Sequence, residues 1–149
     1  MSAGRVEAIN IGPPETLPAP VERVRADAGK GLAGNRYYFE DGAGPGRALT
    51  LIAAEALEAM AREHGIEITA AESRRNVLTR GIDLNALVGK RFRVGDVECL
   101  GVELCHPCKT LESMTKPGVI KGLTHRGGLN ADILSDGEIA VGDEVVATD

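Results

Sequence analysis

The spacing of apolar residues predicts one clear helix in this chain. Residues 53–64 carry an apolar set that recurs at helical spacing, with charged residues elsewhere on the helical wheel. That set consists of Ala53, Ala56, Leu57 and Met60. Gly65 follows directly, and glycine is the residue that most often ends a helix. We therefore predict a helix over residues 53–64 that ends at Gly65.

Short apolar runs between glycine, proline and aspartate residues predict strands along the rest of the chain. The predicted strands cover residues 6–11, 47–52, 76–79, 91–94, 97–104, 129–134 and 144–148. Gly95-Asp96 is typical of a hairpin turn, and residues 83–87 predict one short helical turn. Many short strands with one or two short helices favour a mainly β fold, either a β-barrel or a curled mixed sheet.

Composition narrows the class of protein. A chain of 149 residues fits a single domain over residues 1–149, and its formal net charge of −5 argues against general nucleic-acid binding. Two Phe, two Tyr and no Trp leave little surface for stacking bases. No apolar stretch is long enough to span a membrane, and the N-terminal residues lack the apolar core of a secretory signal. We therefore expect a cytoplasmic protein without a membrane partner.

The run ELCHPCKTLE at residues 103–112 holds the most reactive side chains of the chain. Pro107 disfavours helix at the residue before it, so Cys108 can open a short helical stretch, CKTLESMT. A sulfur at a helix N-terminus, with the cation Lys109 beside it, forms a thiolate more readily. We predict Cys108 as the nucleophile and Cys105 as a neighbouring or resolving thiol.

Other interpretations of these cysteines remain open. Cys108 could be a buried cysteine without chemistry. The CxxC spacing of Cys105 and Cys108 is also found in redox pairs and in half of a zinc site. A zinc site would need further ligands, for which Cys99, His106 and His125 are available, but no second CxxC exists. An odd number of cysteines argues against a disulfide framework.

Three arginine-containing loops stand next to predicted strands. They are Asn35-Arg36, Ser73-Arg74-Arg75-Asn76 and His125-Arg126. Guanidinium groups suit bidentate recognition of phosphate or carboxylate, and nearby glycines let the backbone approach an anion closely. The loops could converge on one anionic ligand, whereas surface salt bridges are the alternative for each arginine taken alone.

In order and spacing, these segments resemble the MOSC domain, named for the C-terminal part of molybdenum cofactor sulfurase. The matching segments are GLAGNRYY, RALTLI, SRRNVLTRGIDLNALVGKRFRVGDVEC, HPC and HRGGLNADILSDGEIAVGDEV. The resemblance implies a β-barrel of the pyruvate-kinase-barrel type. It also implies that Cys108 carries sulfur as a persulfide or binds molybdenum. The residues implied to surround that site are Asn35, Arg36, Arg74 or Arg75, Asn76 and Arg126.

We weigh three alternative functions, of which the resemblance implies the first two. The first is binding of the molybdenum cofactor (molybdopterin) and/or transport of sulfane sulfur on Cys108, with a cysteine desulfurase or a molybdenum enzyme as partner. The second is a molybdenum-dependent reductase of N-hydroxylated compounds. Because no ferredoxin-like cysteine set is present, that reductase would need a separate electron-transfer partner. The third is a non-catalytic domain with Cys105 and Cys108 as a redox-sensing pair. No bound pyridoxal phosphate is expected on this chain.

Overall fold

The computed structural model describes residues 3–13, 16–107 and 109–148, and these residues form a mainly β single domain. The strands in chain order are β1 (Gly4–Ile11), β2 (Ala19–Val21), β3 (Arg23–Asp27), β4 (Gly31–Leu32), β5 (Leu49–Ala53), β6 (Val77–Arg80), β7 (Arg91–Val94), β8 (Val97–Leu104), β9 (Leu129–Ile133), β10 (Gly137–Ala140) and β11 (Glu144–Ala147). The helices are α1 (Ala54–His64), α2 (Lys109–Met114) and α3 (Val119–Gly122), with a short 3-10 helix over Leu84–Leu87.

Seven strands form a closed barrel. Their order is β11-β7-β8-β9-β5-β6-β1, and β1 pairs with β11 to complete the ring. Strand β2 pairs with β1 outside the ring, and β10, β3 and β4 form a separate three-stranded sheet. Strands β5 and β6 are parallel, whereas the other named barrel pairs are antiparallel. The prediction of a β-barrel with short helices is confirmed.

Alternation along the strands builds the barrel core. In β7, Phe92 and Val94 are buried, whereas Arg91 and Arg93 are exposed, as expected where one face of a strand packs inward. A second apolar cluster lies where the helices pack on the barrel wall. Its buried members are Ile52, Met60, Leu111, Val119 and Leu123. The helices therefore cover part of the outside of the barrel through Ile52 of β5.

Local patterns located most of these elements. Helix α1 begins one residue later than predicted and ends before Gly65, whose φ of 67° is left-handed. The predicted turn over residues 83–87 is the 3-10 helix, and the Asp83 side chain accepts a hydrogen bond from the backbone N–H of Asn85. Strands β7 and β8 form the predicted hairpin.

Strands β2, β3, β4 and β10 and helix α3 were not predicted. Strand β4 has two residues and α3 has four, so neither is long enough to show a period. None of the helices among the described residues is both long and apolar enough to cross a membrane.

Candidate functional site

A cleft of about 240 Å³ brings together arginines from distant parts of the chain. Its lining residues are Arg36, Tyr37, Gly46, Arg47, Thr50, Arg74, Arg75, Cys105 and Asn130. The glycine-rich loop after β4 supplies the first four, and the segment before β6 supplies the adjacent Arg74-Arg75 pair. Cys105 follows the last residue of β8. Strand pairing thus places a thiol-containing residue in a cleft with four guanidinium groups.

Both arginines of the Arg74-Arg75 pair line this cleft. Successive side chains of a regular strand point to opposite faces. Arg74 instead has a φ of 61°, a left-handed conformation that is uncommon for residues other than glycine. This turn just before β6 breaks the alternation, so the two consecutive residues share one cleft.

Arg75 is held rigidly by the backbone. It is 8% exposed, its Nε donates to the Gly127 carbonyl at 2.9 Å, and its Nη1 donates to the Ser73 carbonyl at 3.1 Å. Its Nη2 is buried and has no hydrogen-bond partner among the described residues. Because a buried guanidinium N–H without a partner is costly, this atom indicates a missing acceptor.

Arg74 shows the same feature. Its Nη2 donates to the Thr16 carbonyl at 3.1 Å, and its Nε is buried without a partner within the described part of the chain. Burial lowers the pKa of Arg74, and the neighbouring positive charge of Arg36 lowers it further. Arg74 and Arg36 therefore repel each other electrostatically, and an anion between them would relieve this repulsion.

No carboxylate neutralises the cleft arginines in the described structure. None of Arg36, Arg47, Arg74 and Arg75 forms an ion pair with a described acidic side chain, and no described lining residue is acidic. Arginines elsewhere do pair with carboxylates: Arg5, Arg23, Arg25, Arg62, Arg80 and Arg126. The cleft thus concentrates positive charge that the described side chains do not neutralise.

The cysteine loop is packed directly against the segment that orients Arg75. The backbone N–H of Cys105 donates to the Gly128 carbonyl at 2.7 Å. A Cβ placed on Gly127 would lie 2.8 Å from Pro107 Cδ and closer still to the Cys105 carbonyl oxygen. Only a glycine allows this approach, so Gly127 couples the position of Cys105 to that of Arg75.

Cys108, the predicted nucleophile and metal ligand, lies outside the described residues. On either side of it, Pro107 is half-buried and Lys109 is exposed. Helix α2, over Lys109–Met114, falls within the short helical stretch predicted for CKTLESMT.

The two predicted asparagines are buried next to the cleft rather than in its lining. Asn35 accepts a hydrogen bond from the Gly12 N–H at 3.4 Å, and its Nδ2 is buried without a partner among the described residues. Asn76 accepts from the Thr50 N–H at 3.2 Å and donates to the Asn10 carbonyl at 3.2 Å. Asn76 therefore links β5 and β1 at the start of β6.

Arg126 lies apart from the other predicted arginines, in a larger cleft of about 480 Å³ beside α1. Its Nη2 pairs with Glu63 at 3.2 Å, and its Nε donates to the Gly122 carbonyl at 2.8 Å. These bonds tie α1 to the end of α3. The structure thus brings Arg36, Arg74 and Arg75 together and places Arg126 elsewhere.

The further ligands considered for a zinc site, Cys99, His106 and His125, lie in different surroundings. Cys99 is fully buried in the barrel core, and burial raises the pKa of its thiol to about 12, with Asp132 and Glu98 adding to the effect. His106 and His125 are exposed. The described residues contain no cluster of three or more His, Cys, Asp or Glu side chains that could hold a metal ion.

Sequence reasoning missed Arg47 and Tyr37. The Arg47 guanidinium carbon lies 5.8 Å from the centre of the Tyr37 ring, and that of Arg36 lies 4.8 Å from the same ring. The signal for Arg47 was present, because it directly follows Gly46 and is the first residue of a predicted strand. The sequence gives no sign that the Tyr37 ring lies beside both arginines.

Comparison with known structures shows the same fold. The YuaD protein from Bacillus subtilis has a TM-score of 0.82 at 18% identity, covering 97% of this chain and 94% of that one. YiiM from Geobacillus stearothermophilus has a TM-score of 0.78 at 19% identity, covering 98% and 75%. YiiM from Escherichia coli has a TM-score of 0.73 at 18% identity, covering 97% and 70%. At these identities the likeness shows the fold alone.

Sequence comparison identifies the family. No curated protein matches the chain. The family model of the MOSC domain matches residues 39–146, which is more than half of the chain. That match includes Arg47, Arg74, Arg75 and Cys105 of the cleft together with the whole cysteine loop. This chain therefore belongs to the MOSC domain family, a family associated with molybdenum cofactor proteins.

Proposed function

We propose that this chain binds the molybdenum cofactor through its phosphate group in the arginine-rich cleft, with Cys108 as the residue that holds molybdenum or carries sulfur as a persulfide. The observation that carries the proposal is the buried, unpartnered Nη2 of Arg75 beside the unpartnered Nε of Arg74. Both belong to side chains that line a cleft without a described carboxylate. Phosphate oxygens are the acceptors that such guanidinium groups bind best.

The size of the cleft supports binding of one end of such a ligand. Pockets that enclose a whole small ligand usually have volumes of roughly 300–1,000 Å³. A cleft of about 240 Å³ is smaller, so we expect it to hold the phosphate group while the rest of the ligand extends towards the cysteine loop. Cys105 belongs to that loop and also lines the cleft, so the loop and the cleft are adjacent.

The residues of this chain would act mainly by binding and orienting. Arg75 is fixed by the Gly127 and Ser73 carbonyls, so it offers a preorganised N–H to a phosphate oxygen. Arg36 adds a second positive charge from the glycine-rich loop. The bound cofactor would supply the redox chemistry of molybdenum. Cys108 enters the proposal from the sequence, because a soft thiolate suits both molybdenum and sulfane sulfur.

The test measures metal content and anion binding on the same proteins. We would express the wild type, Cys108→Ala and Arg74→Met in a host that makes the cofactor and determine molybdenum per protein by elemental analysis. Inorganic phosphate binding is measured by calorimetry. Arg23→Met is the matched control, because it removes an exposed guanidinium outside the cleft.

We expect molybdenum in the wild type and in Arg23→Met, and its loss in Cys108→Ala with phosphate binding retained. Arg74→Met should weaken phosphate binding roughly tenfold or more, since a hydrogen bond to a charged group contributes about 1.5–3 kcal/mol. A wild type without molybdenum but with one extra sulfur on Cys108 by mass spectrometry would favour the sulfur-carrier branch. A wild type that shows no molybdenum, no extra sulfur on Cys108 and no phosphate binding would contradict the proposal.

A further inference from the structure

Two aromatic rings and two arginines lie together at the cleft, three of them (Arg36, Tyr37 and Arg47) as lining residues. The rings of Tyr37 and Phe39 are stacked with centres 6.5 Å apart and planes inclined by 28°. Arg47 lies over both rings, 5.8 Å from the centre of Tyr37 and 5.2 Å from that of Phe39. Arg36 lies 4.8 Å from the centre of Tyr37. We call these four residues the aromatic rim.

Within the rim, the two aromatic rings hold the two guanidinium groups without neutralising their charge. A ring face attracts a cation through its quadrupole, but it leaves the full positive charge and the N–H donors in place. A carboxylate would hold an arginine equally well and would cancel its charge. No ion pair to a described acidic side chain restrains Arg36 or Arg47, so stacking is the described interaction that orients their guanidinium groups.

The cleft therefore has two layers of positive charge. The inner pair, Arg74 and Arg75, is anchored by hydrogen bonds to backbone carbonyls. The outer pair, the half-buried Arg36 and the exposed Arg47, rests on the rings of Tyr37 and Phe39. A single phosphate monoester carries a charge of about −1.5 to −2 at neutral pH. Four guanidinium groups thus exceed what one phosphate would neutralise.

We infer that Tyr37 and Phe39 position Arg36 and Arg47 as a second anion-binding layer, which makes the cleft selective for diphosphate-containing ligands over monophosphates. The inference rests on the proposed function in one respect, namely that the inner pair binds the first phosphate group. The outer pair then engages the second phosphate. Tyr37 and Phe39 are positioning residues, because they act through the arginines.

The test compares inorganic phosphate with pyrophosphate as calorimetric probes. Tyr37→Leu removes the ring face without altering the net charge, and Tyr37→Phe keeps the face and removes only the hydroxyl. We expect the wild type to bind pyrophosphate at least about tenfold more tightly than phosphate, as the charge difference favours. Tyr37→Leu should lose roughly threefold to tenfold in pyrophosphate affinity, because Arg36 loses the ring on which it stacks and must then be ordered on binding, whereas Arg47 keeps the ring of Phe39. Phosphate affinity should change by less than about twofold, since the inner pair is untouched.

Tyr37→Phe should restore the wild-type preference, and the thermal midpoint of each variant reports whether the fold is intact. A Tyr37→Leu protein that loses affinity for both anions equally, or for neither, would overturn the inference. A wild type that binds phosphate and pyrophosphate equally would also overturn it and leave the proposed function standing. A wild type that binds neither anion would overturn both.

Discussion

The hydrogen bond between Tyr38 and Asp27 ties the glycine-rich loop to strand β3. Tyr38 Oη donates to Asp27 Oδ2 at 2.6 Å, and Arg25 Nε donates to Asp27 Oδ1 at 2.7 Å. The bond to Asp27 raises the pKa of Tyr38 to about 12, and desolvation adds to this effect. The same bond, together with Arg25, holds the pKa of Asp27 below its ordinary value. Tyr38 directly follows Tyr37, so this bond helps fix the loop that carries the aromatic rim.

Replacing Tyr38 by Phe should remove a component of alkaline unfolding. In the wild type the folded protein keeps the phenol proton up to about pH 12, whereas the unfolded chain releases it near pH 10. Between these values the folded state binds more protons, so the free energy of unfolding falls as pH rises. Denaturant unfolding at about pH 9 and pH 11 should show a smaller fall in the free energy of unfolding for Tyr38→Phe than for the wild type.

Tyr37→Phe serves as the matched control for this experiment, because it removes the neighbouring phenol from the cleft side of the same loop. Its free energy of unfolding should fall between about pH 9 and pH 11 as much as that of the wild type. Equal pH dependence in the wild type and in Tyr38→Phe would show that the Tyr38–Asp27 bond does not stabilise the folded state.

Helix α1 illustrates how one element depends on its terminal residue. Its buried residues Ala54, Ala56, Ala59 and Met60 pack towards the barrel, and the helix ends where Gly65 turns left-handed. The Gly65 N–H donates to the Ala61 carbonyl at 3.0 Å and satisfies one of the free carbonyls at the helix end. Arg126 also reaches this helix through its ion pair with Glu63.

Gly65→Ala should destabilise the protein through backbone strain alone. A Cβ at this position meets no atom within 4 Å, but the φ of 67° disfavours an L side chain. We expect a loss of about 1–2 kcal/mol in the free energy of unfolding. Gly44→Ala is the control, since Gly44 is not among the glycines with positive φ and its Cβ would lie 3.6 Å from Arg47 Cδ, an ordinary contact. Equal stability of the two variants in denaturant unfolding would argue against the strain.

Closure of the barrel depends on its first and last strands. Gly4 pairs with Val145 and Arg5 with Glu144, so residues from opposite ends of the chain complete the ring. The Val6 N–H donates to the Asp143 carbonyl at 2.8 Å next to this seam. Val145 is fully buried in the core cluster. The segments that line the cleft connect strands of the same barrel, so its geometry depends on this closure.

A charge at this seam should open the barrel. Val145→Asp would bury a carboxylate without a described positive partner, which costs about 3–5 kcal/mol. Thermal unfolding followed by circular dichroism should show a strongly lowered midpoint, whereas the exposed Thr148→Asp should melt like the wild type. An unchanged midpoint for Val145→Asp would show that the β1–β11 seam contributes little to stability.

The sequence alone determined the elements that are specified by residues close together in the chain. Helical spacing and Gly65 located α1, and Gly95-Asp96 located the hairpin of β7 and β8. Both signals lie within a few residues of the structure they specify, so they can be read without knowing the fold. Ordered segments spread over most of the chain gave the family resemblance, and the family model then confirmed it.

Only the tertiary structure decided which arginines share a cleft. Arg36, Arg74 and Arg75 meet because the glycine-rich loop, the turn before β6 and the end of β8 come together at one region of the barrel, whereas Arg126 turns towards α1. Arg47 also lines this cleft, whereas Cys99 is buried in the barrel core and does not line it. These outcomes depend on long-range strand pairing and on one left-handed residue, Arg74, and neither follows from residue type or spacing.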